Sequence, residues 1–311
     1  MNEIKRKHHY VWREYLRNWS ISDKINAFMI KEKKNLKGIN LTNVAQERYF
    51  YELEVFSKEE ELVLYHLIKS WSDPETLSIN LEIFRLFTSY SSIDQLVTNH
   101  YKTTSKYHSE VNLMLEQLKY NGIENIHTLM ESFGKKIISI NSLEDLDFLN
   151  DREELFLSVL YISFQYLRTK RSRKKIESVL EYNNISKKYA NPISIVFSTG
   201  MANGLVFYKD LKIILLKNHT TKNFITSDQP LANLKEALRD ESGKVLNFEL
   251  YYPINPSTAM IIHYNNDQKE KYILEKIKDE KKVDKLNLFL IDNSENFVFS
   301  DKIELIQSYF N

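Results

Sequence analysis

From residue 77 to residue 182 the apolar residues recur at helical spacing with hardly a break, and no other feature constrains the fold of this chain so strongly. Leu81, Phe84, Phe87 and Tyr90 mark one helix, Val111, Met114, Leu115 and Leu118 a second, and residues 123–133 a shorter third. A further helix, the longest expected, opens at Asp151, with Glu153 and Glu154 in the first turn where the helix dipole favours acids. Its residues Leu155, Val159, Ile162, Phe164 and Leu167 cover so much of the circumference that it should be central and buried. Its far end turns basic, from Arg168 to Lys175.

The flanks read differently. Trp12, Tyr15, Leu16 and Trp19 (i, i+3, i+4, i+7) form the stripe of a short amphipathic helix that needs a large apolar acceptor, and the central helix is the most apolar one available. Residues 24–30 and 39–41 read as short strands about a Lys37-Gly38 turn. Ser57 with Glu60 forms a capping box that opens a helix to about Trp71, and Asp73-Pro74 breaks it. Residues 192–208 fit helix and strand equally. Residues 211–216, 224–225, 248–252 and 259–263 look like strands, several too apolar to face water on both sides. Residues 269–290 carry helical spacing and 301–309 a terminal helix. The expected class is α+β in a single domain spanning 1–311: a mixed segment (1–56), a helical centre (57–190) and a β-rich last third with terminal helices (191–311), its strands joined in one sheet packed on helices.

Composition removes several classes of function. With no cysteine there is no disulfide, thiolate zinc site or cysteine nucleophile. The 43 basic and 42 acidic side chains leave a net charge of +1, so no bulk electrostatic grip on nucleic acid or membrane is expected. No apolar run is long enough to span a bilayer and the N-terminus lacks the apolar region of a secretory signal, so a cytoplasmic location is expected. Gly-x-Ser-x-Gly, P-loop and dinucleotide fingerprints are absent.

The unusual chemistry is concentrated in three segments. His9, Arg13 and Arg17 (i, i+4, i+8) would line one side of the opening helix, pairing a proton carrier with an anion clamp; a solvated surface helix is the alternative. Gln165 and Arg168 share a face of the buried helix, where they must meet an acid, line a cavity or reach the surface. Thr226, Ser227, Asp228 and Gln229 sit at a strand exit before Pro230, where they either present functional groups or cap a helix over 230–239. Neither His8-His9 nor any other pair is spaced for a structural zinc, and none is expected.

Four stretches, HHYVWREYLRNW (8–19), NVAQERYFY (43–51), QYLRT (165–169) and FITSDQP (224–230), resemble the family called domain of unknown function 4238, in order and spacing along nearly the whole chain. Many of its members carry Pro-Gln where this chain has Trp12-Arg13. The family has no established activity, so the resemblance implies a shared fold and site without a named reaction. It points to one pocket built from His9, Arg13, Gln165, Arg168, Asn218 and Asp228. His9, Asp228 and Arg168 are then the candidate catalytic groups, and Arg13, Gln165, Asn218, Gln229 and Thr226 the candidate binding groups. Two Arg, a His, a carboxylate and amides suit work on a phosphate ester. The expected function is a nuclease or nucleotide-processing effector, of the kind used in bacterial conflict and phage defence; the alternative is a non-catalytic module that binds a nucleotide, nucleic acid or protein in the same pocket. No cofactor is expected, with a divalent metal such as Mg2+ left open. A nucleotide or nucleic acid is the expected partner, and a membrane is not.

Overall fold

A computed structural model describes residues 3–100, 108–207, 211–235, 248–264 and 269–310. The chain opens with β1 (Lys7–His9), α1 (Arg13–Arg17), β2 (Lys24–Met29), β3 (Lys34–Asn40) and β4 (Gln46–Arg48). The helical centre follows: α2 (Lys58–Trp71), α3 (Leu77–His100), α4 (His108–Phe133), α5 (Arg152–Leu167), α6 (Lys170–Tyr182) and α7 (Ala190–Phe207). The last third carries β5 (Leu211–Asn218), β6 (Thr226–Ser227), β7 (Ala232–Asn233), β8 (Glu249–Asn255), β9 (Thr258–Tyr264), β10 (Tyr272–Ile277), α8 (Glu280–Asp292), β11 (Phe297–Ser300) and α9 (Ile303–Phe310). The class is α+β, as the sequence implies.

Among the described residues the strands form three sheets, not the single one expected. The five-stranded sheet runs β10-β5-β9-β8-β7, with β10 parallel to β5 and the other pairs antiparallel. The four-stranded sheet runs β3-β2-β11-β6, so the early strands do join late ones, and β1 pairs with β4 alone. Strand periodicity explains why the five-stranded sheet is apolar on both faces. Ile213, Leu215, Met260 and Ile262 enter the main core with the helices, whereas Leu216, Ala259 and Ile261 enter a second core against Val283, Leu286 and Leu290 of α8.

The central helix is α5, buried from Ser158 to Gln165 and packed on α7 and α4. It is not the longest: it has 16 residues against 26 in α4. Residues 123–133 are the second half of α4, continuous through Gly122, where a Cβ would come 3.1 Å from Leu53. At the end of α4 a Cβ on Gly134 would stand 2.5 Å from the Tyr161 ring, so glycine is what admits this close approach to α5. The capping box at Ser57 and Glu60 is present, and α2 ends at Trp71 as expected.

Other expectations need correction. The first hairpin turns at residues 31–33, with Lys33 left-handed, and Gly38 (φ 57°) lies within β3, its N–H bonded to Asn26 Oδ1 near a register shift. Residues 192–208 resolve as helix to Phe207 because α5 covers their apolar face. The helical spacing over 269–290 hides β10, and α8 starts only after Asp279, whose carboxylate accepts from Lys281 N–H. Of the helix expected over 230–239, residues 232–233 form β7 and those from 236 on lie outside the described residues.

Candidate functional site

The four family-like stretches are bonded to one another. Trp12 and Trp19 both point inward, and Trp12 meets Tyr161 of α5 edge-on at 5.7 Å. Gln165 clamps the opening segment to α5: its Oε1 accepts from Trp12 N–H at 3.4 Å and its Nε2 donates to Tyr10 C=O at 3.3 Å. The Arg168 guanidinium donates to the His9 carbonyl, and the Arg168 carbonyl accepts from Tyr51 Oη at 2.8 Å. Tyr15 Oη meets Thr226 Oγ1 at 2.6 Å, Trp19 Nε1 donates to Phe224 C=O at 3.1 Å, and Thr169 Oγ1 donates to Gln229 Oε1. Tyr10 N–H reaches Ala45 C=O at 3.0 Å. The segments thus form a buried knot in which most polar groups have partners, as burial favours, with Tyr10 Oη, Gln46 Oε1 and Arg168 Nε left without one.

On one side of that knot a cleft of about 1070 Å³ opens between the N-terminal segment and α4. His9, Trp12 and Arg13 form one wall, Glu124, Thr128 and Glu131 the other, and Lys5 and Lys7 lie at its rim. His9 Nε2 and Glu124 Oε2 are both buried and both lack a hydrogen-bond partner. Glu131 is committed: its carboxylate pairs with Arg168 Nη1 at 2.8 Å, where the Arg168 side chain is 2% exposed. Arg13 is exposed and makes no ion pair among the described residues.

Burial and the nearby Arg13 and Arg168 charges push His9 down to about 4, so its ring is neutral near pH 7. Glu124 moves the other way. Burial raises it to about 7 despite the opposing attraction of Arg168, leaving a carboxyl that still holds much of its proton at neutral pH. A carboxyl and an imidazole with separated affinities facing one cleft can divide donor and acceptor roles. His8, by contrast, is spent: Nδ1 accepts from Tyr51 N–H at 2.9 Å, so Nε2 carries the proton given to Lys5 C=O at 2.9 Å.

The expected six-residue pocket therefore divides. His9 and Arg13 line the cleft, while Arg168 does not line it and is bonded to the His9 carbonyl and to Glu131; His9 lies on β1, not on a helix with Arg13 and Arg17. Arg17 is exposed and pairs with Glu14 and Asp23. Gln165 holds backbone beside the cleft, and Thr226 and Gln229 belong to the knot. Asn218 shapes a turn, accepting from Thr220 N–H at 3.0 Å and donating to Lys222 C=O at 2.6 Å. Asp228 is 1% exposed and caps no helix; its two oxygens accept from the Glu295 and Asn296 amides at 2.9 and 2.8 Å, fixing the turn into β11. Neither Asn218 nor Asp228 lines the cleft. Glu124 and Glu131 are the residues that sequence reasoning misses; their i, i+7 spacing on one face of α4 is the only available signal. Among the described residues, no three His, Asp or Glu side chains are placed to hold one metal ion, and no helix is long and apolar enough to cross a membrane.

The chain belongs to the family described as protein of unknown function (DUF4238), which it matches over residues 7–303. No curated protein and no solved structure matches it.

Proposed function

We propose that the α4 cleft is the working site of a phosphoester-directed enzyme, a nuclease or nucleotide-processing protein. The observation that carries this reading is the pair of unpartnered, buried polar atoms, His9 Nε2 and Glu124 Oε2, lining one cleft beside the uncommitted cation Arg13. Orphaned polar groups are disfavoured in a fold unless a ligand completes them. In this scheme Arg13 neutralises charge on the non-bridging phosphate oxygens. Neutral His9 takes the proton of the attacking water as its oxygen bonds to phosphorus. Glu124 gives its proton to the leaving oxygen as that bond breaks. Arg168 acts through His9 and Glu131, holding the first by its carbonyl and the second by its charge. A bound phosphate would offset Arg13 and raise the basicity of His9, turning it into a better proton acceptor only when substrate is present.

The test is turnover of single-stranded DNA, RNA and nucleoside triphosphates by purified protein, with Mg2+ and with EDTA. Turnover cut about 100-fold or more by His9→Ala and by Glu124→Gln is the expected result. Saturable binding without turnover would replace the enzyme with a nucleotide-binding module using the same cleft. Neither binding nor turnover would remove the reading altogether.

A further inference from the structure

Where α5 passes into α6, beside the knot residues Tyr166 and Gln229, lies a second and smaller cavity of about 230 Å³. Among the described residues its charged lining is wholly cationic: Arg171, Lys175 and Lys235 face it, and no Asp or Glu does. The other walls include Ser172, in the first turn of the 13-residue α6, and Gln229 of the late turn. Arg171 directs its guanidinium to the Asp292 and Ser294 carbonyls at 3.1 and 3.4 Å, which fixes its position but does not neutralise it. Lys235 pairs with Glu249 at 2.5 Å. Lys175 makes no ion pair among the described residues.

Three cations gathered on one small cavity repel one another, and the positive end of the α6 dipole adds to the field. Burial, and then the charge of Arg171, lower the proton affinity of Lys175. The cavity is smaller than the roughly 300–1,000 Å³ of sites that take a whole small molecule. It suits one compact, multiply charged group. Arg171 and Lys175 are four apart and lie on one face of α6, so both can reach the same oxyanion.

We infer that this cavity is a binding site for a phosphoryl dianion, contributed by inorganic phosphate or by the phosphate end of a small monoester, and separate from the α4 cleft. It does not depend on the phosphoester reading of that cleft, because the two share no lining residue. Occupation would tie the start of α6 to the late turn at Gln229 and to Asn293 beyond α8.

The test is thermal unfolding of the full chain titrated with inorganic phosphate, and separately with phosphoserine, against chloride at matched ionic strength. Wild-type protein should show a saturable rise in Tm with phosphate that chloride does not reproduce. Lys175→Gln should lose most of that rise while keeping the wild-type Tm in chloride, since Lys175 makes no ion pair; Lys175→Glu should abolish it. A rise with phosphoserine as well assigns the site to the phosphoryl group of a larger ligand, and a rise with phosphate alone assigns it to the free anion. Absence of a saturable rise with either probe would overturn the inference. A rise of equal size in Lys175→Glu would also overturn it, by placing the anion elsewhere.

Discussion

The motif knot and the α4 cleft are built from the same kinds of side chain and treat them in opposite ways. In the knot, Gln165, Thr169, Thr226 and Gln229 are buried and each is matched with a partner. In the cleft, His9 and Glu124 are buried at their reactive atoms and matched with nothing. Burial of a polar residue is therefore no guide to its role until its partners are counted. A satisfied group holds the fold; an unsatisfied one that also faces a cleft is open to a ligand, and among the unpartnered atoms of the described residues only those of His9 and Glu124 face this one. Arg168 stands at the border, serving the knot through the His9 carbonyl and the cleft through Glu131.

The largest expected effect falls on that border. Arg168→Ala leaves Glu131 without its partner and the His9 carbonyl without its donor, and should cost about 3–5 kcal/mol, as removal of one member of a buried pair does. The urea midpoint at constant m measures it. Arg168→Lys keeps the charge but not the fork, so it should recover only part of the loss. Next comes Asp228→Ala. It orphans the Glu295 and Asn296 amides and should cost about 1–3 kcal/mol, with any activity per folded molecule unchanged. Asp228→Asn keeps one acceptor and should cost less. Burial already raises Asp228 to about 6, so the second acceptor oxygen matters more than the charge. An Asp228→Asn protein of wild-type stability that has lost its activity would break the division between knot and cleft.

What the sequence made legible was local. The Trp12–Tyr15–Leu16–Trp19 stripe, the Ser57–Glu60 box and the apolarity of α5 each depend on residues within a few turns of one another, and each is present in the fold. The sheets were not legible, because β11 pairs with β2, about 270 residues before it, and with β6, about 70 before it. Helical spacing misled over 269–290, where β10 takes its conformation from the edge of β5. The site was half legible. Odd residues such as His9 and Arg168 stand out in a sequence, whereas Glu124 reads as one more acid on a solvated helix face. Only the packing of α4 against the first residues gives it a buried oxygen. Asp228 was the reverse: a polar turn looks functional until the amides it accepts from, nearly 70 residues later, are seen.

A smaller effect sharpens the comparison through pH. Glu124 titrates at about 7 in the fold against an ordinary 4.5, so the folded chain binds that proton more tightly and stability falls as pH rises from 4.5 through 7. His9 titrates at about 4 against an ordinary 6.5, so the unfolded chain holds the extra proton and stability rises with pH from 4 through 6.5. Between 4.5 and 6.5 the two slopes oppose. Glu124→Gln removes the falling one, and its stability should climb more steeply with pH than that of wild type, by at most about 1.4 kcal/mol per pH unit, the limit for one proton. His9→Gln should climb less steeply. His8 and His127 are also held below the ordinary imidazole value, but both remain in every variant and cancel in the difference. Urea midpoints measured across this range give the slopes; identical slopes in all three proteins would mean that the cleft groups are ordinary surface residues.

The smallest effect on stability is expected at Arg13, and it is the most discriminating. Arg13 is exposed, makes no ion pair among the described residues and lies on a five-residue helix held by Tyr15, Leu16 and Trp19, not by its polar side. Arg13→Gln removes a charge from open surface, where substitutions usually change stability by no more than about 0.5 kcal/mol. It also removes the first opposing cation acting on His9, so the His9 ring should regain basicity, a change that NMR titration of the imidazole reads directly. If the cleft holds a phosphate ester, the same substitution should weaken nucleotide binding about tenfold or more, because a hydrogen bond to a charged group is worth about 1.5–3 kcal/mol. A lysine in its place should restore the charge without the two-pronged geometry and recover part of that affinity. A protein that folds as wild type, shows the His9 shift and still binds nucleotide unchanged would place Arg13 near the imidazole but outside the ligand's reach, and the anion would then have to be held by the rim cations Lys5 and Lys7.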